Sequence, residues 1–268
     1  MAGTHPIARR TRRAGRALIC LLGTGLLSGL GSPARADEEA MQLLKKTSDY
    51  LASQQTISMK FDSDIEIVTP SLQKIQFASS GEALLNRPDK LRLTRQGGYS
   101  DVELIFDGAT VTLHGKNANA YAQAPFTGTI DGLVDKLRTE FAVDAPGADL
   151  LLADMFKQLS ADVLDGKHIG QGVVNGVECE HLAFRGPEVD WQLWVEAGSN
   201  PVPRKYVITS KMVTGAPQYT LRIKDWRSGL PAQPDAFVFQ PGEAKRVDVK
   251  EAAGWDEVPP AENKGAAQ

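Results

Sequence analysis

The sequence predicts a mainly β fold of the α+β class. Its core is one unclosed, strongly curved antiparallel sheet of about eleven strands, a half-barrel, with helices over the concave side as a lid. Three observations predict it. Apolar and polar residues alternate with period two through most of residues 56–239. The connections between these runs are short and rich in Gly, Pro, Asn and Asp. Two helical stripes interrupt the alternation near the middle. Strands that each offer one apolar face must bury it together, and a single curved sheet with helices against its hollow does so.

The elements follow in order. Residues 38–54 carry Ala40, Met41, Leu43, Leu44, Thr47, Tyr50 and Leu51 at the spacing of one helix face. Ile57, Met59, Phe61, Ile65 and Ile67 then alternate with polar residues as a half-buried strand. After Thr69-Pro70-Ser71 a second strand runs through Ile75, Phe77, Ala83 and Leu85, with Gly81 expected as a bulge or bend. Arg87-Pro88-Asp89 turns into a third, through Leu91 and Leu93. Val102, Leu104 and Phe106 lead to Asp107-Gly108, a two-residue hairpin signal, and Val111 and Leu113 return. Residues 120–123 complete a six-strand meander.

Thr129 caps a helix with Ile130, Leu133, Val134, Leu137 and Phe141 in one stripe. Ala145-Pro146-Gly147 breaks it, and a second helix is expected over 149–164 through Leu150, Leu151, Leu152, Met155, Phe156 and Leu159. Period two resumes in 167–174 and 177–184 around Asn175-Gly176, the strongest hairpin signal in the chain. Further strands are expected over 191–196, 204–209 and 219–223, and a last one at Phe237-Val238-Phe239. Residues 37–241 thus read as one domain and 242–268, charged and alanine-rich, as a loose tail.

Residues 1–36 read as an export signal. Five arginines from Arg9 to Arg16 precede the apolar run Ala17–Leu30, and Ala34-Arg35-Ala36 gives the small-x-small pattern of cleavage after Ala36. That run has fourteen residues, short of the roughly 20 needed to span a bilayer. The expected compartment is the periplasm. The leader also hides the charge of the rest. The whole chain has 30 Lys+Arg, 33 Asp+Glu and a formal charge of −3; without the leader's six arginines, 24 basic face 33 acidic residues, a net of −9. Such a domain lacks the basic footprint of a nucleic-acid binder. Beyond the leader only Cys179 remains, so no internal disulfide is available and stability must come from the core.

Catalytic signatures are missing. His114, His168 and His181 have no metal-ligand spacing, and no nucleophile elbow, phosphate loop or dinucleotide fingerprint occurs. No metal, cofactor or catalytic residue is therefore assigned, and the chain is read as a non-enzyme. Cys179 and His181, two apart on a strand, would face the same way; core packing of the thiol is the preferred reading over a nucleophile–base pair. Asp62, Asp64 and Glu66 read as a solvated strand face, and Asp190 as the solvent-exposed start of a strand. Trp191 and Trp194, at odd spacing, should point to opposite faces. Such apolar residues can form a filled core or line an interior that opens when the helices move, and an interaction surface around Trp194 or Trp226 is a further alternative.

The stretch Gly81–Leu93, with Arg87-Pro88, then Leu104–Leu113 around Asp107-Gly108, then Asn117 and Tyr121, resembles the periplasmic carrier family that ferries lipoproteins to the outer membrane. Phe237–Pro241 resembles that family's last strand. Over nearly all of 38–241 the chain is more similar to an uncharacterised family of predicted periplasmic proteins in the same superfamily. Asp190-Trp191-Gln192-Leu193-Trp194 and Pro203-Arg204-Lys205 carry that similarity. The resemblance implies an unclosed barrel with a helical lid over an apolar cavity that binds acyl chains. It aligns Arg87 with the carrier arginine that hydrogen-bonds the closed lid. Leu113-His114 departs from the carriers, which have an aromatic there.

The resulting expectation is a periplasmic binding or carrier protein for a lipid, a lipidated protein or another hydrophobic molecule. Its cavity would be lined by Ile65, Ile67, Ile75, Phe77, Leu91, Leu93, Leu104, Phe106, Trp191 and Leu193. Leu133, Leu137, Met155 and Phe156 would form the lid's underside, and Arg87 its latch. The alternative is a regulatory module of the cell envelope that docks a membrane protein.

Overall fold

The computed structural model describes residues 36–140 and 145–256. The expected leader up to Arg35, Phe141 of the first mid-chain stripe, and 257–268 of the expected tail lie outside them. Twelve strands among the described residues form one unclosed, curved sheet. A first meander comprises β1 (Thr56–Val68), β2 (Lys74–Asn86), β3 (Lys90–Gly97), β4 (Asp101–Phe106), β5 (Thr110–Gly115) and β6 (Ala120–Pro125). A second comprises β7 (Asp165–Val174), β8 (Val177–Arg185), β9 (Val189–Glu196), β10 (Pro203–Ser210) and β11 (Gln218–Ser228). β1 pairs with β11 and joins the two antiparallel halves. The sheet ends at β7 on one side and at β12 (Lys245–Arg246) on the other, and β12 runs parallel to β6.

Period two governs the inner face because cross-strand partners share a side. One inward row runs Ile57–Leu85–Leu91–Phe106–Val111, and the next Met59–Ala83–Leu93–Leu104–Leu113. In the other half, Leu221, Tyr206, Leu193 and Leu182 stand side by side. Helix α1 (Glu38–Ser53), capped by the Asp37 carboxylate, buries Ala40, Leu44, Thr47, Ser48 and Leu51 against the hollow. Helix α2 (Ile130–Glu140) buries Ile130, Leu133 and Val134, with Thr129 Oγ1 accepting from the Gly132 N–H at its start.

Several expectations change. The helix expected over 149–164 is a 3-10 turn at Ala148–Leu151 followed by helix α3 (Met155–Ser160). Asp154 restarts the helix by accepting from the Lys157 N–H, and the extended Leu152 separates the two pieces. Gly81 makes no bulge, since β2 pairs with both neighbours in unbroken register there. It is a point of close approach: a Cβ would lie 2.1 Å from the Thr94 carbonyl oxygen and 2.4 Å from the Phe61 ring. The Asp107-Gly108 loop has three residues rather than two, because the Asp107 carboxylate accepts from the Ala109 and Thr110 N–H groups and rounds the turn.

Phe237–Phe239 is not a strand. Phe237 is buried, while the Phe239 ring lies 4.8 Å from Tyr121 and 5.5 Å from His114. Nor is the chain loose from Gly242. After crossing the outer face it pairs as β12, makes a 3-10 turn at Val249–Ala252 and packs on through Asp256. This segment covers the β6 edge, which would otherwise expose unpaired main-chain groups.

The start of α1 is tied to the edge strand by a histidine. His168 on β7 bonds Glu180 at 2.8 Å through Nε2 and faces Glu39 of α1 at 3.3 Å through Nδ1. Burial pulls the imidazole pKa down, but the hydrogen bonds to Glu180 and Glu39 outweigh it and the value stands above that of a free histidine. The folded chain then holds this proton more tightly than the unfolded chain. Its stabilisation is complete below about pH 6.5 and is lost as pH rises through the raised value. In urea unfolding, the stability gap between the native chain and His168→Gln is expected to be wider at about pH 6 than at about pH 8.5. An equal gap at both would refute the linkage.

Candidate functional site

The concave face has three zones. The rows starting at Ile57 and Met59 are apolar and lie beneath the helices. Next come Phe61–Gly81–Arg95–Val102–Gly115 and then Ser63–Ser79–Gly97. This belt brings polar groups among the buried Phe61 and Val102: the Ser63 and Ser79 hydroxyls bond each other at 2.8 Å, and Arg95 puts a guanidinium on an inward-facing position. Beyond it, Ile65 faces Phe77 and Ile67 faces Ile75.

The ten residues expected to line a cavity thus fall into separate groups. Leu91, Phe106, Trp191 and Leu193 are buried in the packed core, and Leu93 and Leu104 lie half-buried against it. Ile65, Ile67, Ile75 and Phe77 lie past the belt and are half-buried. The open apolar cavity expected beneath the helices is, around the buried four, occupied by side chains. A guest can enter there only if the helices move. Two cavities of about 450 and 310 Å³ open instead on the outer face, among charged residues that include Lys60, Glu82, Arg92 and Lys224.

The expected lid residues do lie against the core. Leu133 and Met155 are fully buried, and Leu137 and Phe156 pack on the same cluster. Polar contacts pin this layer at several points, among them the Ile130 N–H to the Pro88 carbonyl at 2.8 Å, Arg138 to Asp149 at 2.8 Å, the Asp37 N–H to the Gly166 carbonyl at 2.7 Å and Lys46 Nζ to the Gly198 carbonyl at 2.6 Å. Arg87, in the β2–β3 turn, donates from Nη1 to the Leu151 carbonyl at 2.9 Å and from Nη2 to the Leu152 carbonyl at 3.4 Å. Asp131 of α2 accepts the Ala153 N–H at 3.1 Å, and Ser48 of α1 accepts the Phe156 N–H at 2.9 Å. Burial holds the Arg87 guanidinium pKa below its usual value, against the opposing pull of Asp131.

Cys179 and His181 do share a face, but they form no nucleophile–base pair. His181 Nε2 bonds Gln192 at 2.9 Å and its ring stacks on Trp194 at 4.0 Å. Cys179 is fully buried, and that burial pushes its thiol pKa up, away from the reactive thiolate. Trp191 points inward and stacks on Phe184 at 4.1 Å. Trp194 points outward beneath Lys205, 4.5 Å from its ring centre. Trp226 is half-buried and packs against the core. Asp62, Asp64 and Glu66 pair with Lys224, Arg222 and Lys74, and Asp190 with Lys211. Among the described residues, no group of three or more His, Cys, Asp or Glu is placed to hold a metal ion.

Arg95 and its partners were not among the expected site residues. Its Nε donates to Asp256 Oδ1 at 2.8 Å and its Nη2 to the Asp256 carbonyl at 2.6 Å; Ser100 Oγ reaches the same Oδ1 at 3.1 Å. Trp255 covers Gly115, where a Cβ would lie 2.7 Å from its ring. The available signal was Arg95's place in the alternation Leu91, Leu93, Arg95, which sets a charge on the apolar side.

A family model described as a predicted periplasmic protein (DUF2092) matches residues 40–250. No curated protein matches the chain. Among solved structures, an uncharacterised conserved protein of Thermus thermophilus is 10% identical with a TM-score of 0.47, covering 79% of this chain and 99% of that one. The MucA/MucB complex of Pseudomonas aeruginosa gives 12% identity and a TM-score of 0.43, with 78% of this chain and 63% of that one covered. Lipoprotein LppX of Mycobacterium tuberculosis gives 11% and 0.43, with 74% and 100% covered.

Proposed function

The chain belongs to the DUF2092 family of predicted periplasmic proteins, and we propose that it is an exported, non-catalytic binding or carrier protein for a lipid, a lipidated protein or another hydrophobic molecule. Residues 1–36 would direct its export and be removed after Ala36. The helices are the lid, Arg87 is its latch, and the guest lies along the inward rows once the lid lifts.

One observation carries this reading. Arg87, in the β2–β3 turn, bridges the layer over the apolar rows to the sheet through the Leu151 and Leu152 carbonyls. A half-buried guanidinium is a costly way to fix a permanent core, since apolar residues of equal volume often do as well or better. It suits a layer that must both close and open. The inward rows supply what an apolar guest needs, aliphatic walls with few polar groups. The test is the mass and lipid content of the chain recovered gently from the periplasm of a Gram-negative host.

A second reading, an envelope module that docks a membrane protein, draws on edge strand β7. Ile169 and Val173 are exposed there, by 55% and 69%, on a strand that has no further strand beside it among the described residues. It predicts a stable complex with such a partner and no acyl compound in the purified chain.

A further inference from the structure

The polar belt sits oddly in a surface meant for apolar guests. Arg95 is the cause, and its surroundings are asymmetric. Its side chain is only 15% exposed, whereas its partner Asp256 is 45% exposed. If the two separate, Asp256 returns to water at little cost. Arg95 is left on the inward face without its counter-charge, and its guanidinium is free to pair with another anion that reaches the hollow.

The groups around Arg95 fit a carboxylate. The guanidinium and Ser100 Oγ already converge on one Asp256 carboxylate oxygen. Tyr99, whose ring lies 5.5 Å from the Arg95 guanidinium, has a buried hydroxyl with no hydrogen-bond partner among the described residues. That hydroxyl is a spare donor for a second oxygen. Next to this cluster the inner row Leu93–Leu104–Leu113 gives an aliphatic track. Gly115 provides a notch that Trp255 now fills. Trp255 and Asp256 together, a large apolar group followed by a carboxylate, place in the hollow the chemistry of an amphiphile.

We infer that Arg95, Ser100 and Tyr99 form a head-group site for the carboxylate of a long acyl chain, and that the chain's own Trp255–Asp256 occupies this site until such a ligand displaces it. The inference rests on the carrier reading and specifies its ligand class. It requires no covalent step: one carboxylate replaces another on the same guanidinium, and an acyl tail replaces an indole.

Calorimetric titration of the full chain with palmitate and with hexadecanol, which has a tail of the same length and no charge, tests it. Palmitate is expected to bind about tenfold more tightly than hexadecanol. Asp256→Asn, which weakens the internal occupant and leaves Arg95 in place, should tighten palmitate binding by about tenfold. Trp255→Ala should act in the same direction. Arg95→Gln should bring the ratio of the two affinities close to one. Equal affinities in the native chain, an unchanged ratio in Arg95→Gln, or no gain in both Asp256→Asn and Trp255→Ala would overturn the inference. Tight binding of both probes with no preference would leave the carrier reading standing and remove this site. Failure of both probes in every variant would remove both.

Discussion

An Arg87→Ala chain is expected to take up an apolar acyl probe about 30-fold more tightly than the native chain. Hydrogen bonds from a charged donor contribute about 1.5–3 kcal/mol each. Of the two from Arg87, one is well formed at 2.9 Å and the other marginal at 3.4 Å. Taking about 2 kcal/mol for the pair, their loss raises the open fraction about 30-fold, and apparent affinity rises with it. Global stability should fall by less, because truncation also removes a guanidinium that burial disfavours. Fluorescence titration gives the affinity and urea unfolding the stability. An unchanged affinity would show that these bonds do not govern access to the inner rows.

Phe106→Ala is expected to destabilise the chain by about 3–5 kcal/mol, the range for removing a large buried aromatic ring. Phe106 is fully buried between Leu91 and Val111 in its row, and its ring centre is 5.5 Å from that of Phe126. Ile67→Ala, at a half-buried position beyond the belt, should cost far less, about 1 kcal/mol. The contrast, read from urea midpoints, tests whether the packed and partly open zones are correctly placed. Similar losses at both positions would refute the zoning.

Much of the sheet was legible because period two and turn chemistry are local. Asn175 and Gly176 adopt positive φ values of 50° and 81°, as a tight hairpin requires. Trp191 and Trp194 divided between faces by parity alone. Local pattern failed where main-chain pairing or capping overrode it. Leu150, Leu151, Leu152, Met155 and Phe156 read as one helical stripe, and nothing apolar in them announces that Asp154 restarts the helix. Phe237 and Phe239 alternate like a strand, yet ring packing rather than a ladder places Phe239. Lys245 and Arg246 are charged and exposed, which signals solvent but is silent about an edge. The Arg95–Asp256 pair spans 161 positions. Only Arg95's parity hinted at it.

A carrier of this build must exchange the helices and C-terminal segment over its inner rows for a guest. Native mass spectrometry of the chain purified without detergent from a Gram-negative periplasm, followed by solvent extraction, measures this directly. The expected result is a population heavier than the bare polypeptide by the mass of an acyl compound, which the extract then contains. A single bare mass, an extract free of acyl compounds, and no uptake of added palmitate or hexadecanol would contradict it.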